Sequence, residues 1–172
     1  PMDFEKEILH EAEAIPEIIP QSEIAKRRDF RDVTTFTIDP HDAKDFDDAL
    51  SVRVIEDNKF EIGVHIADVT HYVRYGTLLE EQALHRGTSV YLVDRCVPML
   101  PEKLSNDVCS LRPHVDRLTF SAVFTMDMET RILDAWYGRT IIHSDRRFSY
   151  EEAQQVLESK QGDFVKEITL LD

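Results

Sequence analysis

The sequence predicts an α+β fold built on a mixed, largely antiparallel sheet with peripheral helices. Two kinds of pattern carry that expectation. Residues 49–55 (ALSVRVI) alternate, with Leu50, Val52 and Val54 on one side, and residues 60–66 (FEIGVHI) alternate again through Phe60, Ile62, Val64 and Ile66. The Asp57-Asn58 pair between them reads as a hairpin turn. Residues 118–127 and 131–143 form a second strand pair around Met128-Glu129-Thr130. Helix starts are marked by Thr77 with Glu80 and by Ser149 with Glu152, the spacing at which side chain and backbone N–H groups cap each other. The helices they open reach about Arg86 and cover residues 150–159.

The remaining elements follow in chain order. Residues 3–14 place Phe4, Ile8 and Leu9 at near-helical spacing, and 16-PEIIP-20 stops the helix, so residues 1–22 read as a linker helix ahead of a domain spanning 23–172. A short helix is expected over residues 22–28 with Ser22 as its N-cap. Residues 33–38 (VTTFTI) and 88–93 (TSVYLV) have strand composition. Pro1 is not a natural start, which makes an excised piece of a longer protein the expectation.

Composition narrows the class. With 42% apolar and 31% charged residues the chain suits a soluble globular protein, and no stretch approaches the roughly 20 apolar residues of a membrane span. The acidic, amphipathic opening is not a secretory signal, so a cytoplasmic location is expected. Cys96 and Cys109 match no zinc spacing and read as free, buried thiols. A net charge of -14 opposes nucleic-acid binding, although basic knots stand at 26-KRRDFR-31 and 143-HSDRR-147. Glycine loops of the GxGxxG or GxxxxGK[ST] type and the GxSxG nucleophile turn are missing, which removes support for nucleotide-loop and serine chemistry.

One segment demands chemistry. In 37-TIDPHDAKDFDDALSV-52, Asp39, Asp42, Asp45, Asp47 and Asp48 crowd together against a strand. Two unit charges about 4 Å apart repel by roughly 4 kcal/mol at an effective dielectric near 20, so the acids call for bound cations or for dispersal into solvent. An EF-hand is excluded by spacing, since the central glycine is absent. Two readings stay open: a solvated loop, against which Phe46 and Ala49-Leu50 count, and a magnesium site for phosphoryl chemistry.

The run TIDPHDAKDFDDAL, followed by 63-GVHIADVTHYV-73 and 87-GTSVYLVDRCVPMLPEKLSNDVCSL-111, closely resembles the catalytic RNB domain of the ribonuclease II and ribonuclease R family, nearest to the bacterial ribonuclease R branch. The likeness runs from about Glu23 to the end and covers the N-terminal half of that domain. It implies a processive 3′-to-5′ exoribonuclease that releases nucleoside 5′-monophosphates from single-stranded RNA by magnesium-assisted attack of water. The family's D-x5-D-x-D-D pattern falls on Asp39, Asp45, Asp47 and Asp48, with Asp42 outside it. The resemblance assigns all four to Mg2+, Asp39 and Asp48 most directly, and Asp45 and Asp47 also to the catalytic step. Tyr91 matches the tyrosine that clamps the last nucleotides. His65 and Asp68 are expected to be structural. The parent protein is expected to be monomeric, and this portion by itself inactive. The rival reading is a catalytically incomplete RNA- or protein-binding module.

Overall fold

The computed structural model describes residues 3–56, 58–93 and 95–172, so Asp57 of the expected turn lies outside the described residues. The chain runs α1 (Lys6–Glu13), α2 (Gln21–Ile24), β1 (Arg28–Asp29), β2 (Thr35–Asp39), β3 (Asp48–Glu56), β4 (Lys59–Ala67), α3 (Val69–Tyr72) and α4 (Leu78–Arg86). It continues through β5 (Val90–Tyr91), β6 (Cys96–Val97), a π-helical turn (Leu104–Val108), β7 (Asp116–Asp127), β8 (Ile132–His143), β9 (Arg146–Ser149), α5 (Tyr150–Ser159) and α6 (Val165–Leu171). One sheet has the order β1-β8-β7-β4-β3-β2-β9, and β5 pairs with β6 apart from it. The inner pairings are antiparallel, whereas β1 joins β8 and β9 joins β2 in parallel. This is the mixed, largely antiparallel sheet that the alternation predicts.

Each face has its own core. On one, Ala49, Ala67, Val123 and Ile142 pack with Ile8 and Ala12 of α1, Leu79 of α4, and Leu104 and Val108 of the π-helical turn. On the other, Phe36 and Phe148 meet edge to face at 5.6 Å and are covered by Ala153 and Val156 of α5 and Ile168 of α6. Ser149 and Glu152 form the reciprocal cap expected for α5. Thr77 accepts from the Glu80 N–H, but the Glu80 carboxylate takes the Gly76 N–H, so only half of that box forms at α4. Ser22 is not a cap: Pro20, already in extended backbone, precedes α2 and Ser22 lies within it. Of the two thiols, Cys109 is buried and Cys96 exposed.

Burial along β4 differs from the apolar alternation. Ile66 is half exposed, while Glu61, Gly63 and His65 on the opposite side are buried. Polar burial is tolerable there because the groups are paired. His65 sits between Ser121 Oγ at 2.6 Å and Ser51 Oγ at 2.8 Å, and Glu61 receives Arg28 at 2.7 Å and Arg53 at 2.8 Å. Burial, aided by the Arg28 charge, pushes the His65 imidazole down to about 4, so it is neutral near pH 7. Gly63 leaves room for this arrangement, since a Cβ there would lie 2.5 Å from His65 Nε2 and against Ser51 Oγ. Gly63→Ala is expected to cost about 1–3 kcal/mol through forced repacking. Thermal unfolding checks it, and an unchanged midpoint would show that the imidazole can move aside freely.

Candidate active site

The acidic segment is a tethered loop. β2 ends at Asp39 and the neighbouring antiparallel β3 begins at Asp48, so residues 40–47 leave and re-enter the sheet between adjacent strands. Phe46 is buried in the main core. Its N–H donates to Ser110 Oγ at 3.1 Å, its carbonyl accepts the Leu111 N–H at 2.8 Å, and the Ser110 hydroxyl donates to the Lys44 carbonyl at 3.2 Å. The Ala67 N–H donates to the Asp47 carbonyl at 3.0 Å, and Arg147 Nη2 donates to the carbonyls of Pro40 at 2.5 Å and His41 at 2.7 Å. A loop held at both ends and anchored by Phe46 cannot disperse its charges as a free coil would. These contacts fix the loop backbone, while the side chains of Asp42, Asp47 and Asp48 stay exposed to solvent.

The carboxylates act on one another. Asp39 is only 8% exposed, and its Oδ2, like Thr37 Oγ1, is buried with no hydrogen-bond partner among the described residues. Burial pushes the Asp39 carboxyl above the usual carboxylate range, with Asp48 and Asp45 adding to it and Thr37 and Arg147 opposing. Asp47 is raised likewise, by desolvation first and then by Asp45, Asp48 and Asp39. Asp42 is exposed on the same loop.

Among the described residues no three acidic, histidine or cysteine groups converge closely enough to form a ready metal cage. The donor set nonetheless fits magnesium. That ion is commonly held by one or two carboxylates and completes its shell with water and substrate phosphate, and the orphaned Asp39 Oδ2 is a buried hard-oxygen donor of that kind.

Tyr91 stands at the rim. The expected strand over residues 88–93 shrinks to the short β5, paired with β6, and Tyr91 is 67% exposed, not turned into a core. Its hydroxyl donates to Asp45 Oδ2 at 2.7 Å, which, with partial burial, pushes the phenol up to about 12. A flat ring thus lies next to the acid loop, open to solvent. His65 is consumed by its two serines and Asp68 by Arg27 at 2.7 Å, so neither is placed to act as a base on this loop. Sequence reasoning missed Ser110 and Arg147 as loop anchors. The basic knot at 143–147 was the signal for Arg147, and nothing local marks Ser110.

The family model for the RNB domain matches residues 27–169. Ribonuclease R 1 of Lactococcus lactis subsp. lactis is 48% identical over 155 residues, 90% of this chain and 19% of that protein. DIS3-like exonuclease 2 of Xenopus tropicalis is 48% identical over 143 residues, 83% of this chain and 17% of that protein. The structure of Mycoplasma genitalium RNase R in complex with ribose methylated single-stranded RNA superposes with a TM-score of 0.87 at 32% identity, over 98% of this chain and 26% of that one. The chain thus spans about a fifth of the length of the curated relatives it matches. Matched over most of its length, with the acid loop, the flanking strands and the tyrosine hairpin inside the matched range, the chain belongs to the RNB domain family.

Proposed function

We propose that this chain is the metal-binding portion of a 3′-to-5′ exoribonuclease that shortens single-stranded RNA to nucleoside 5′-monophosphates. The observation that carries the reading is the tethered loop, which keeps Asp39, Asp45, Asp47 and Asp48 close enough to perturb one another when nothing in the fold requires that cost. The structure of Mycoplasma genitalium RNase R in complex with ribose methylated single-stranded RNA supports the substrate class.

Asp39 and Asp48, at the facing ends of β2 and β3, would hold Mg2+ directly, and Asp45 and Asp47 would hold a second ion, its waters or the leaving group. Bound magnesium would polarise the scissile phosphodiester and lower the pKa of the attacking water. The protein's own part is placement. Phe46, Ser110 and Leu111 fix the loop backbone, so the carboxylates meet the phosphate without reorganising. The Tyr91 ring offers a stacking surface for a terminal base, worth about 1–3 kcal/mol and indifferent to sequence. Phosphate grip for a chain this acidic would come from segments that the longer relatives possess, with which it would act as a monomer in the cytoplasm. Among the described residues no helix is long and apolar enough to cross a membrane.

The test uses the full-length protein that carries this chain and a single-stranded RNA labelled at its 5′ end. Stepwise shortening from the 3′ end is expected with magnesium and is expected to stop with a chelator; internal cuts or chelator-resistant cleavage would overturn the reading. In the same assay Tyr91→Ala should lengthen the smallest leftover product more than it slows the reaction. Tyr91→Phe, which keeps the ring and loses only the hydroxyl bond to Asp45, should leave that product unchanged. Equal ladders from Tyr91→Ala and the parent would remove the stacking role.

A further inference from the structure

The basic knot at 143–147 has no part in the reading above, yet Arg147 is built into the same site. It lies on β9 in register with Thr37, two residues before Asp39, and its half-buried guanidinium sits 5.4 Å from the Phe46 ring centroid. One nitrogen, Nη2, grips two consecutive carbonyls of the acid loop, Pro40 and His41, while the Ala43 N–H donates back to Pro40 at 3.0 Å. Its Nε is buried without a hydrogen-bond partner among the described residues, in company with Thr37 Oγ1 and Asp39 Oδ2. These buried polar groups lie on two neighbouring strands beside the acid loop, where Thr37 and the Arg147 charge ease an Asp39 carboxyl that burial, Asp48 and Asp45 push up.

We infer that Arg147 is a positioning residue of the metal site, holding the start of the acid loop through the Pro40 and His41 carbonyls so that Asp39 faces the other carboxylates. The inference rests on the metal-site reading proposed above. Two effects of the guanidinium oppose each other. Its charge repels a nearby cation, so removing the charge alone would tighten metal binding. Its Nη2 bonds fix the loop, so removing them weakens metal binding; loss of a group that orients metal ligands typically costs roughly 10–100-fold in affinity. The Nη2 bonds dominate because they act on the backbone immediately after Asp39, whereas the repulsion is offset by the neighbouring carboxylates.

Mn2+ binding to the full-length protein that carries this chain, followed by electron paramagnetic resonance, separates the effects, with Arg147→Lys keeping the charge and losing the Nη2 bonds through its shorter reach, and Arg147→Met losing both. Both variants are expected to bind Mn2+ about tenfold or more weakly, Arg147→Lys at least as weakly as Arg147→Met, with a broadened bound-Mn2+ spectrum and faster hydrogen exchange at Ala43. Thermal unfolding without metal checks that each variant is folded, and if Arg147→Met does not fold, Arg147→Lys decides. Tighter binding by Arg147→Met with Arg147→Lys unchanged would show that only the charge acts, and unchanged binding by both would show no role; either overturns the inference while the metal reading stands. Absence of Mn2+ binding by the full-length parent, or binding unaffected by Asp39→Asn, would overturn both.

Discussion

Asp47→Asn, in the full-length protein that carries this chain, is expected to cut RNA hydrolysis by about 10²–10³-fold while leaving RNA affinity nearly unchanged. The asparagine keeps the shape of the side chain, and the loop geometry depends on backbone contacts: Phe46 bound to Ser110 and Leu111, and the Asp47 carbonyl bound to Ala67. What is lost is one negative charge at the proposed metal site. A second consequence runs the other way. Asp47 has a folded-state pKa above its ordinary value, because desolvation and then Asp45, Asp48 and Asp39 disfavour its ionised form. Its contribution to stability is therefore present below the unfolded pKa and is lost as pH rises through the folded pKa, so the ionised form destabilises the metal-free fold. Asp47→Asn should raise the unfolding temperature in chelator and shrink the further rise expected on adding magnesium. End-labelled RNA shortening, a binding titration and thermal unfolding with and without magnesium check all three. Near-normal cleavage would sink the assignment of Asp47 to the site.

The largest loss of stability is expected outside that loop, at Asp68. Arg27 has a side chain 0% exposed, and its guanidinium reaches Asp68 at 2.7 Å, Glu23 at 2.9 Å, and the carbonyls of Thr119 at 3.2 Å and Thr140 at 3.3 Å. Asp68 also accepts the Thr70 hydroxyl at 2.9 Å and faces Arg139 at 3.6 Å. Removing one partner of a buried pair leaves an uncompensated charge, so Asp68→Ala is expected to cost about 3–5 kcal/mol, towards the lower figure because Glu23 remains. Replacing both charges, as in Arg27→Met with Asp68→Leu, should recover much of that loss. Denaturant unfolding of the single and double variants measures the difference, and a double variant no more stable than Asp68→Ala would contradict the account.

Asp68 also has the opposite pH behaviour to Asp47. Burial pushes its carboxyl up, but Arg27, Thr70 and Arg139 together outweigh burial and hold it below the usual carboxylate value. Its stabilisation is present above the unfolded pKa, near 4, and is lost as pH falls through the lower folded value.

Local signals determined much of this protein. Period-two alternation placed the long hairpins, and Ser149 with Glu152 placed the α5 cap, because strand pleat and helix capping are properties of a few consecutive residues. The spacing of Asp39, Asp45, Asp47 and Asp48 marked the acid loop before any geometry was known. Other features were decided only by tertiary structure. β9 is four residues long, and its strand state comes from parallel pairing with β2, a partner more than a hundred residues earlier. Polar residues of β4 are buried, since Ser51 and Ser121 arrive from other strands to bond His65 and Arg28 and Arg53 to ion-pair with Glu61. The acid loop is tethered because Ser110 and Arg147 reach it across the fold. Charge density is written in the chain, but whether charges disperse or stay gathered depends on hydrogen-bond partners that only the folded arrangement brings within reach.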